Sequence, residues 1–260
     1  MSTTRLSPSE IAARRLPLAG NYNVRDVGGY PVDGGGATRW NTLLRGDALH
    51  GLDDSGRAVL GSIGVNTVID LREHDEVSVA PDRLGDLTAQ VVHLPLYDTS
   101  NTGMPRSDQA GRTLAQTYEL LVRDRPEALA GAVRALAAPG ALPAIVHCTA
   151  GKDRTGIVIA LALSTVGVSD SVIAADYCAT EHLLDGAFRA EILARSVSRG
   201  VPEASILPLL SAQPDLILAV LNQICHDHGS VAAFLGDHGM TDAERVALRS
   251  SLVAEAPEEP

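Results

Sequence analysis

The stretch Leu142-Pro-Ala-Ile-Val-His-Cys-Thr-Ala-Gly-Lys-Asp-Arg-Thr-Gly-Ile-Val-Ile-Ala-Leu-Ala-Leu-Ser-Thr-Val166 decides how the chain is read. Leu142 to His147 is short and mostly apolar, as a strand buried on both faces must be. Thr155 to Val166 is an apolar run of helical length. Between them, Cys148 and Arg154 bracket Thr149 to Asp153. A Cys-x5-Arg loop at a strand-to-helix junction is a device for holding a tetrahedral dianion. The intervening residues let the backbone curl until successive N–H groups point inward as an anion nest. The helix N-terminus adds unpaired donors and positive dipole potential. Arg154 supplies a planar fork that matches two phosphoryl oxygens. The same field favours thiolate over thiol at Cys148, and a thiolate facing a bound phosphate monoester is an attacking nucleophile.

The neighbours of Cys148 fit this reading. Thr149, Ala150 and Gly151 supply the nest, and Gly151 reaches dihedrals closed to other residues. Thr155, first in the helix, can donate to the sulfur and help it leave. His147 is expected to hydrogen-bond backbone and fix the loop. Of the 21 basic residues, 20 are arginine and one is lysine, Lys152. A coding bias explains the arginines but not the place of the exception. Lys152 is expected to add charge at the rim for a second anionic group.

Moving outward, Val65 to Leu71 and Gln90 to Leu96 read as further buried strands. Ser7 to Arg15 reads as a short helix with Pro8 near its start, and Asp53 to Leu60 as a helix with acids in its first turn. Asn21 to Asp47, rich in Gly and turn residues, reads as hairpin-like or irregular. Thr113 to Ala138 is helical in pattern with an interruption at Pro126. Alternating strands and helices imply right-handed crossovers and a central, mostly parallel sheet flanked by helices, an α/β fold. After Ser169 the chain turns all-helical: Val172 to Leu184, Pro214 to His228, and a last helix opened by the capping box at Thr241 to Glu244. Residues 185–213 fit two short helices with a break at Gly200 and Pro202. That insertion is either a surface hairpin or a lid over the site. No repeat or linker divides the chain, so residues 1–260 are expected to be one domain.

Composition limits the rest. The chain is 45% hydrophobic and carries a net charge of −11, which argues against nucleic acid and against docking on anionic membrane. Cys148, Cys178 and Cys225 form no disulfide framework or CxxC pair. Cys178 is expected to pack in a helix, with its reach to Cys148 left open. Cys225-His-Asp-His228 reads as a polar helix end, not a zinc site. The N-terminus lacks the apolar core of a signal peptide and no run of 18 apolar residues occurs, so a cytoplasmic protein without membrane insertion is expected, with export by a route that needs no classical signal peptide left open. A Walker nucleotide loop is excluded, because Asp153 stands where Ser or Thr must bind magnesium.

The run His147-Cys-Thr-Ala-Gly-Lys-Asp-Arg-Thr-Gly156 resembles the signature of cysteine-dependent phosphatases. More narrowly, it resembles the atypical bacterial tyrosine phosphatases, whose mycobacterial secreted members act on phosphotyrosine and phosphoinositides. Asn23-Val-Arg-Asp-Val-Gly-Gly29, Leu43-Leu-Arg-Gly-Asp47, Asp70-Leu-Arg72 and Ala174-Ala-Asp-Tyr177 extend the likeness over nearly the whole chain. Val24 departs from it, standing where the branch has an aromatic. The resemblance implies a cysteine-phosphatase fold, a phosphocysteine intermediate, no metal or other cofactor, and a helical lid. It implies a phosphorylated protein or a phosphoinositide as substrate, and it leaves the oligomeric state open. For the general acid it points to Asp153. Asp98 competes, because it follows the strand after which dual-specificity phosphatases place their acid. Asp70 is a third candidate, or else Asp70-Leu-Arg72 braces the loop. A phosphate-binding relative without turnover is the rival from another class.

Overall fold

Of the three segments read as buried strands, two lie inside a five-stranded sheet, and the third, Gln90–His93, is an edge strand whose residues are exposed or half-buried because no strand covers its outer side. The computed structural model describes residues 5–97, 113–198, 200 and 202–255. Along the chain the strands are β1 (Arg25–Asp26), β2 (Ala37–Thr38), β3 (Leu43–Gly46), β4 (Thr67–Asp70), β5 (Gln90–His93), β6 (Ala144–His147) and β7 (Val253–Ala254). The large sheet has the order β1-β3-β6-β4-β5. Only the edge strand β1 runs antiparallel, against β3. β2 and β7 pair separately. Side chains of β6 alternate: Ala144 and Val146 enter the larger core and Ile145 the smaller one, as the two-residue period of a strand requires.

The helices are α1 (Pro8–Arg14), α2 (Asp54–Ile63), α3 (His74–Val79), α4 (Leu114–Asp124), α5 (Pro126–Ala137), α6 (Asp153–Thr165), α7 (Asp170–Leu183), α8 (Ala187–Val197), α9 (Glu203–Ile206), α10 (Pro214–His228), α11 (Val231–Asp237) and α12 (Asp242–Leu252). Ser7 caps α1 and Thr241 caps α12, each in a capping box with the glutamate three residues on. Pro126 opens α5 and so separates it from α4. α6 is buried from Arg154 to Leu163 and apolar on every side after its first turn, as a central helix must be. It begins at Asp153, two residues before the apolar run suggests. An acid in the first turn suits the helix dipole, so the polar residues join the helix. The insertion forms α8, α9 and a 3-10 turn at Leu207–Leu210. No helix among the described residues is long and apolar enough to cross a membrane.

Register places the site. Gly46 of β3 and Asp70 of β4 both lie opposite His147 of β6. Asp47, Leu71 and Cys148 therefore leave the sheet at one rim, the carboxyl end of the parallel strands, where open α/β sheets bind ligands. Val24 packs under this rim, 1% exposed in the smaller core. Its departure from the family pattern is thus a change of packing below the loop.

Candidate active site

The loop after Cys148 is clamped by its carbonyls. The Ala48 N–H donates to the Thr149 carbonyl at 3.1 Å. Asn23 Nδ2 donates to the carbonyls of Ala150 and Gly151 at 2.9 and 3.1 Å, and Arg45 Nη2 donates to that of Gly151 at 2.8 Å. Across a trans peptide the next N–H points opposite to the carbonyl. With three consecutive carbonyls turned to the support, the amides of Ala150, Gly151 and Lys152 face the other way, as a nest needs. Gly151 has φ +66° and a Cβ there would lie 2.3 Å from the Gly46 carbonyl oxygen. Only glycine fits.

Beneath the loop lies a buried charge network. Arg25 Nε and Arg45 Nη1 bind opposite oxygens of Asp176, at 3.0 and 2.6 Å. Tyr30 donates its hydroxyl to the same carboxylate at 3.0 Å, and Arg25 Nη2 donates to Thr180 Oγ1 at 3.0 Å. Asp47 accepts the N–H groups of Tyr22 and Asn23 at 2.9 and 3.0 Å. The segments around Asn23, Arg45 and Asp176, far apart in sequence, thus meet under one loop. Burial acts to raise the Asp176 carboxyl, but the charges of Arg25 and Arg45 outweigh it and hold the group well below the usual carboxylate range. Burial, then the charge of Arg45, pulls Arg25 down.

A second brace lies behind His147. Arg72 Nε reaches both oxygens of Asp70, at 2.9 and 3.1 Å, and Arg72 Nη2 reaches Asp70 and Asp82 at 2.7 and 2.8 Å. His147 is fully buried, with Nδ1 3.3 Å from the Cys148 carbonyl oxygen and Nε2 3.1 Å from Asp82. Burial acts to raise Asp70, but its bonds to Arg72 bring it below its ordinary value. Asp70 is 2% exposed and both of its oxygens are held by Arg72, which places it as a brace behind the loop. Asp70, Asp82 and His147 place ligand-type atoms within 4.8 Å of one another. Arg72 bonds both carboxylates and so ties the trio into the brace.

At the mouth, Arg154 Nη1 and Nη2 grip the two oxygens of Glu76 at 2.6 and 2.9 Å. Thr149 Oγ1 donates to Glu76 and accepts from Arg154 Nη2, the latter at 3.2 Å. Burial acts to raise the Glu76 carboxyl, but Arg154 and Thr149 bring it down to about 2. The Tyr97 ring lies 5.5 Å from the Arg154 guanidinium carbon. Asp153 Oδ1 accepts from Tyr118 at 2.5 Å and lies 3.0 Å from Lys152 Nζ. Cys148 is buried, and Thr155 is buried with its Oγ1 unpartnered among the described residues, so the expected bond from Thr155 to sulfur is not formed here. Lys152 is 2% exposed, and its ammonium donates to the Leu209 and Ser211 carbonyls at 2.6 and 3.0 Å. It faces the helical insertion, not an open rim, because two fixed carbonyls take its hydrogen bonds and the Asp153 carboxylate pairs with its charge. Asp98 lies outside the described residues. Cys178 is packed in α7, its thiol pushed up to about 11 chiefly by burial.

The profile of the tyrosine phosphatase family matches residues 16–254. The chain belongs to the tyrosine phosphatase family. The phosphatase is 29% identical over 284 residues to the triple specificity protein phosphatase PtpB of Mycobacterium tuberculosis, covering 94% of this chain and 100% of that one. It is 33% identical over 226 residues to a Cupriavidus necator protein whose name assigns it to the tyrosine-protein phosphatases, covering 83% and 80% of the two chains. The structure also brings to the site residues that the sequence did not single out: Glu76, Asp82, Tyr97 and Tyr118. One signal was available. The chain is only 3% aromatic, yet Tyr22, Tyr30, Tyr97, Tyr118 and Tyr177, all five of its tyrosines, stand around this loop or its support.

Proposed function

We propose that the phosphatase hydrolyses phosphotyrosine through a phosphocysteine intermediate on Cys148, with Arg154 as the phosphoryl fork and Asp153 as the general acid. The observation that carries this reading is the clamped loop itself. Three consecutive carbonyls are turned to the support, the following amides face the other way, and Arg154 at the loop's end already grips a two-oxygen anion, the Glu76 carboxylate. In the first step Cys148 Sγ attacks phosphorus, the P–S bond forms, and the bond to the tyrosyl oxygen breaks. That oxygen takes the proton of Asp153. In the second step water attacks phosphorus, gives a proton to Asp153, and the thiolate leaves with its electron pair. The net change is one water consumed for one phosphate and one tyrosine released.

The insertion supports a role as lid. Phe188 of α8 stacks edge-on with Tyr22 at 5.4 Å, and the segment after α9 is tied to Lys152. A phosphoinositide, the second reading, needs a cation for its additional phosphates. Lys152, the residue expected to do that work, is buried against the insertion and held by two carbonyls and Asp153, which favours phosphotyrosine.

Cys148→Ser should abolish turnover while vanadate binding persists, because the nest and Arg154 remain. Turnover within tenfold of the parent would remove the nucleophile assignment. A panel of phosphotyrosine peptides and phosphoinositides compared by kcat/KM tests the substrate class, and a clear preference for the lipids would reverse our order.

A further inference from the structure

Asp153 is not alone at the mouth. Behind it stand two buried phenols from helices distant in sequence, Tyr118 of α4 and Tyr177 of α7, each 1% exposed. Tyr118 Oη lies 2.5 Å from Asp153 Oδ1 and 2.7 Å from Tyr177 Oη. A hydroxyl carries one proton to donate. Since Tyr118 gives its proton to the carboxylate, Tyr177 must give its own to Tyr118. The chain of hydrogen bonds therefore has one direction, from Tyr177 through Tyr118 to Oδ1. Both phenols stay protonated: burial, then the negative charge of Asp153, raises each well above the ordinary tyrosine range. Tyr177 thus donates, and Tyr118 accepts from it while donating to Asp153.

The Lys152 ammonium approaches the same oxygen, Oδ1, at 3.0 Å. A hydrogen-bond donor and a cation on one carboxyl oxygen settle where a proton on that carboxyl can sit, because a hydrogen on Oδ1 would face both. It must lie on Oδ2, and no donor to Oδ2 is found among the described residues. The Asp153 side chain is 30% exposed, so the carboxyl spans from a buried anchor to the open mouth.

We propose that Tyr118, backed by Tyr177, is a positioning residue for Asp153: it fixes Oδ1 and so reserves Oδ2 for the proton delivered to the leaving oxygen. This rests on Asp153 being the general acid. A well-aimed acid contributes in proportion to the charge left on the departing oxygen. Loss of aim should therefore show itself on poor leaving groups and spare good ones.

The test is kcat/KM, which reports the first chemical step, across a series of aryl phosphates of graded leaving-group basicity. Tyr118→Phe removes one hydroxyl and keeps the ring. It should lower kcat/KM for phenyl phosphate and phosphotyrosine by roughly tenfold or more, with less than about threefold change for dinitrophenyl phosphate. Tyr177→Phe, which keeps the Tyr118 hydroxyl but removes its donor, should show the same pattern more weakly. In an Asp153→Asn background, Tyr118→Phe should add nothing to the leaving-group dependence, since residues acting through one another are not additive. An equal fall for good and poor leaving groups would mean that Tyr118 only packs, and overturns the proposal. So would an unchanged leaving-group slope in both tyrosine variants while Asp153→Asn steepens it. If Asp153→Asn itself leaves the slope unchanged, the acid lies elsewhere and the proposal falls with that assignment.

Discussion

Glu76 and Arg154 meet fork to fork, with Oε2 2.6 Å from Nη1 and Oε1 2.9 Å from Nη2. The Leu71 carbonyl and Thr149 Oγ1 take the outer Nη hydrogens at 3.4 and 3.2 Å. Of the guanidinium's donors, Nε–H alone is left unclaimed among the described residues. A phosphoryl group gripping Arg154 by two oxygens must displace one of these partners.

Glu76→Ala should therefore separate binding from chemistry. Removing a negative charge beside the incoming dianion should lower KM for an aryl phosphate severalfold, roughly as an exchange worth 1–2 kcal/mol at intermediate dielectric. At the same time kcat should fall, because nothing then fixes the plane of the fork. Steady-state kinetics decides: a raised KM with unchanged kcat would show that Glu76 neither competes with substrate nor orients Arg154.

Arg154→Lys should be nearly as damaging as Arg154→Ala, within roughly threefold in kcat, since lysine keeps the charge and loses the planar fork. The contact with Glu76 strengthens this expectation. A single ammonium cannot serve a carboxylate and two phosphoryl oxygens in one plane. Recovery of most of kcat by lysine would reduce the arginine's part to charge.

Asp176→Asn should destabilise the fold strongly. It leaves Arg25 and Arg45 buried without their shared counter-charge, and breaking such a pair costs roughly 3–5 kcal/mol. Urea unfolding measures it, and a loss below about 1 kcal/mol would contradict the network's role as the loop's support.

Acid should weaken the fold through the same carboxylates. The Glu76 carboxyl sits at about 2 against an ordinary 4.5, and Asp176 is held lower still. A group depressed on folding adds stability above its unfolded value and loses it as pH falls through its folded one. The urea midpoint should thus decline from about pH 4.5 towards pH 2. Glu76→Gln should show a shallower decline across that window. A parent midpoint that holds level from pH 5 to pH 2.5 would contradict these shifts.

What the sequence determined by itself was whatever short-range chemistry fixes. The Cys148 to Arg154 spacing, the buried strand before it, the apolar helix after it and the cap at Thr241 all depend on residues within a few positions of one another. Periodicity and backbone geometry make such features legible. The likeness of four further segments to a family marked Asn23, Arg45 and Asp176 as worth noting, but not why. The tertiary structure supplied the reason, since Arg25 and Arg45 come from strands and Asp176 from a helix more than a hundred residues away. Glu76 left no trace because α3 is a single short helix with no buried residue and hence no apolar period. Tyr118 approaches Asp153 across 35 residues of chain. Lys152 shows the limit most clearly. A long, flexible ammonium can turn to a substrate or to a carbonyl, and its partners here are backbone groups of Leu209 and Ser211. Every residue carries such a carbonyl, so only packing could decide which ones the lysine would meet.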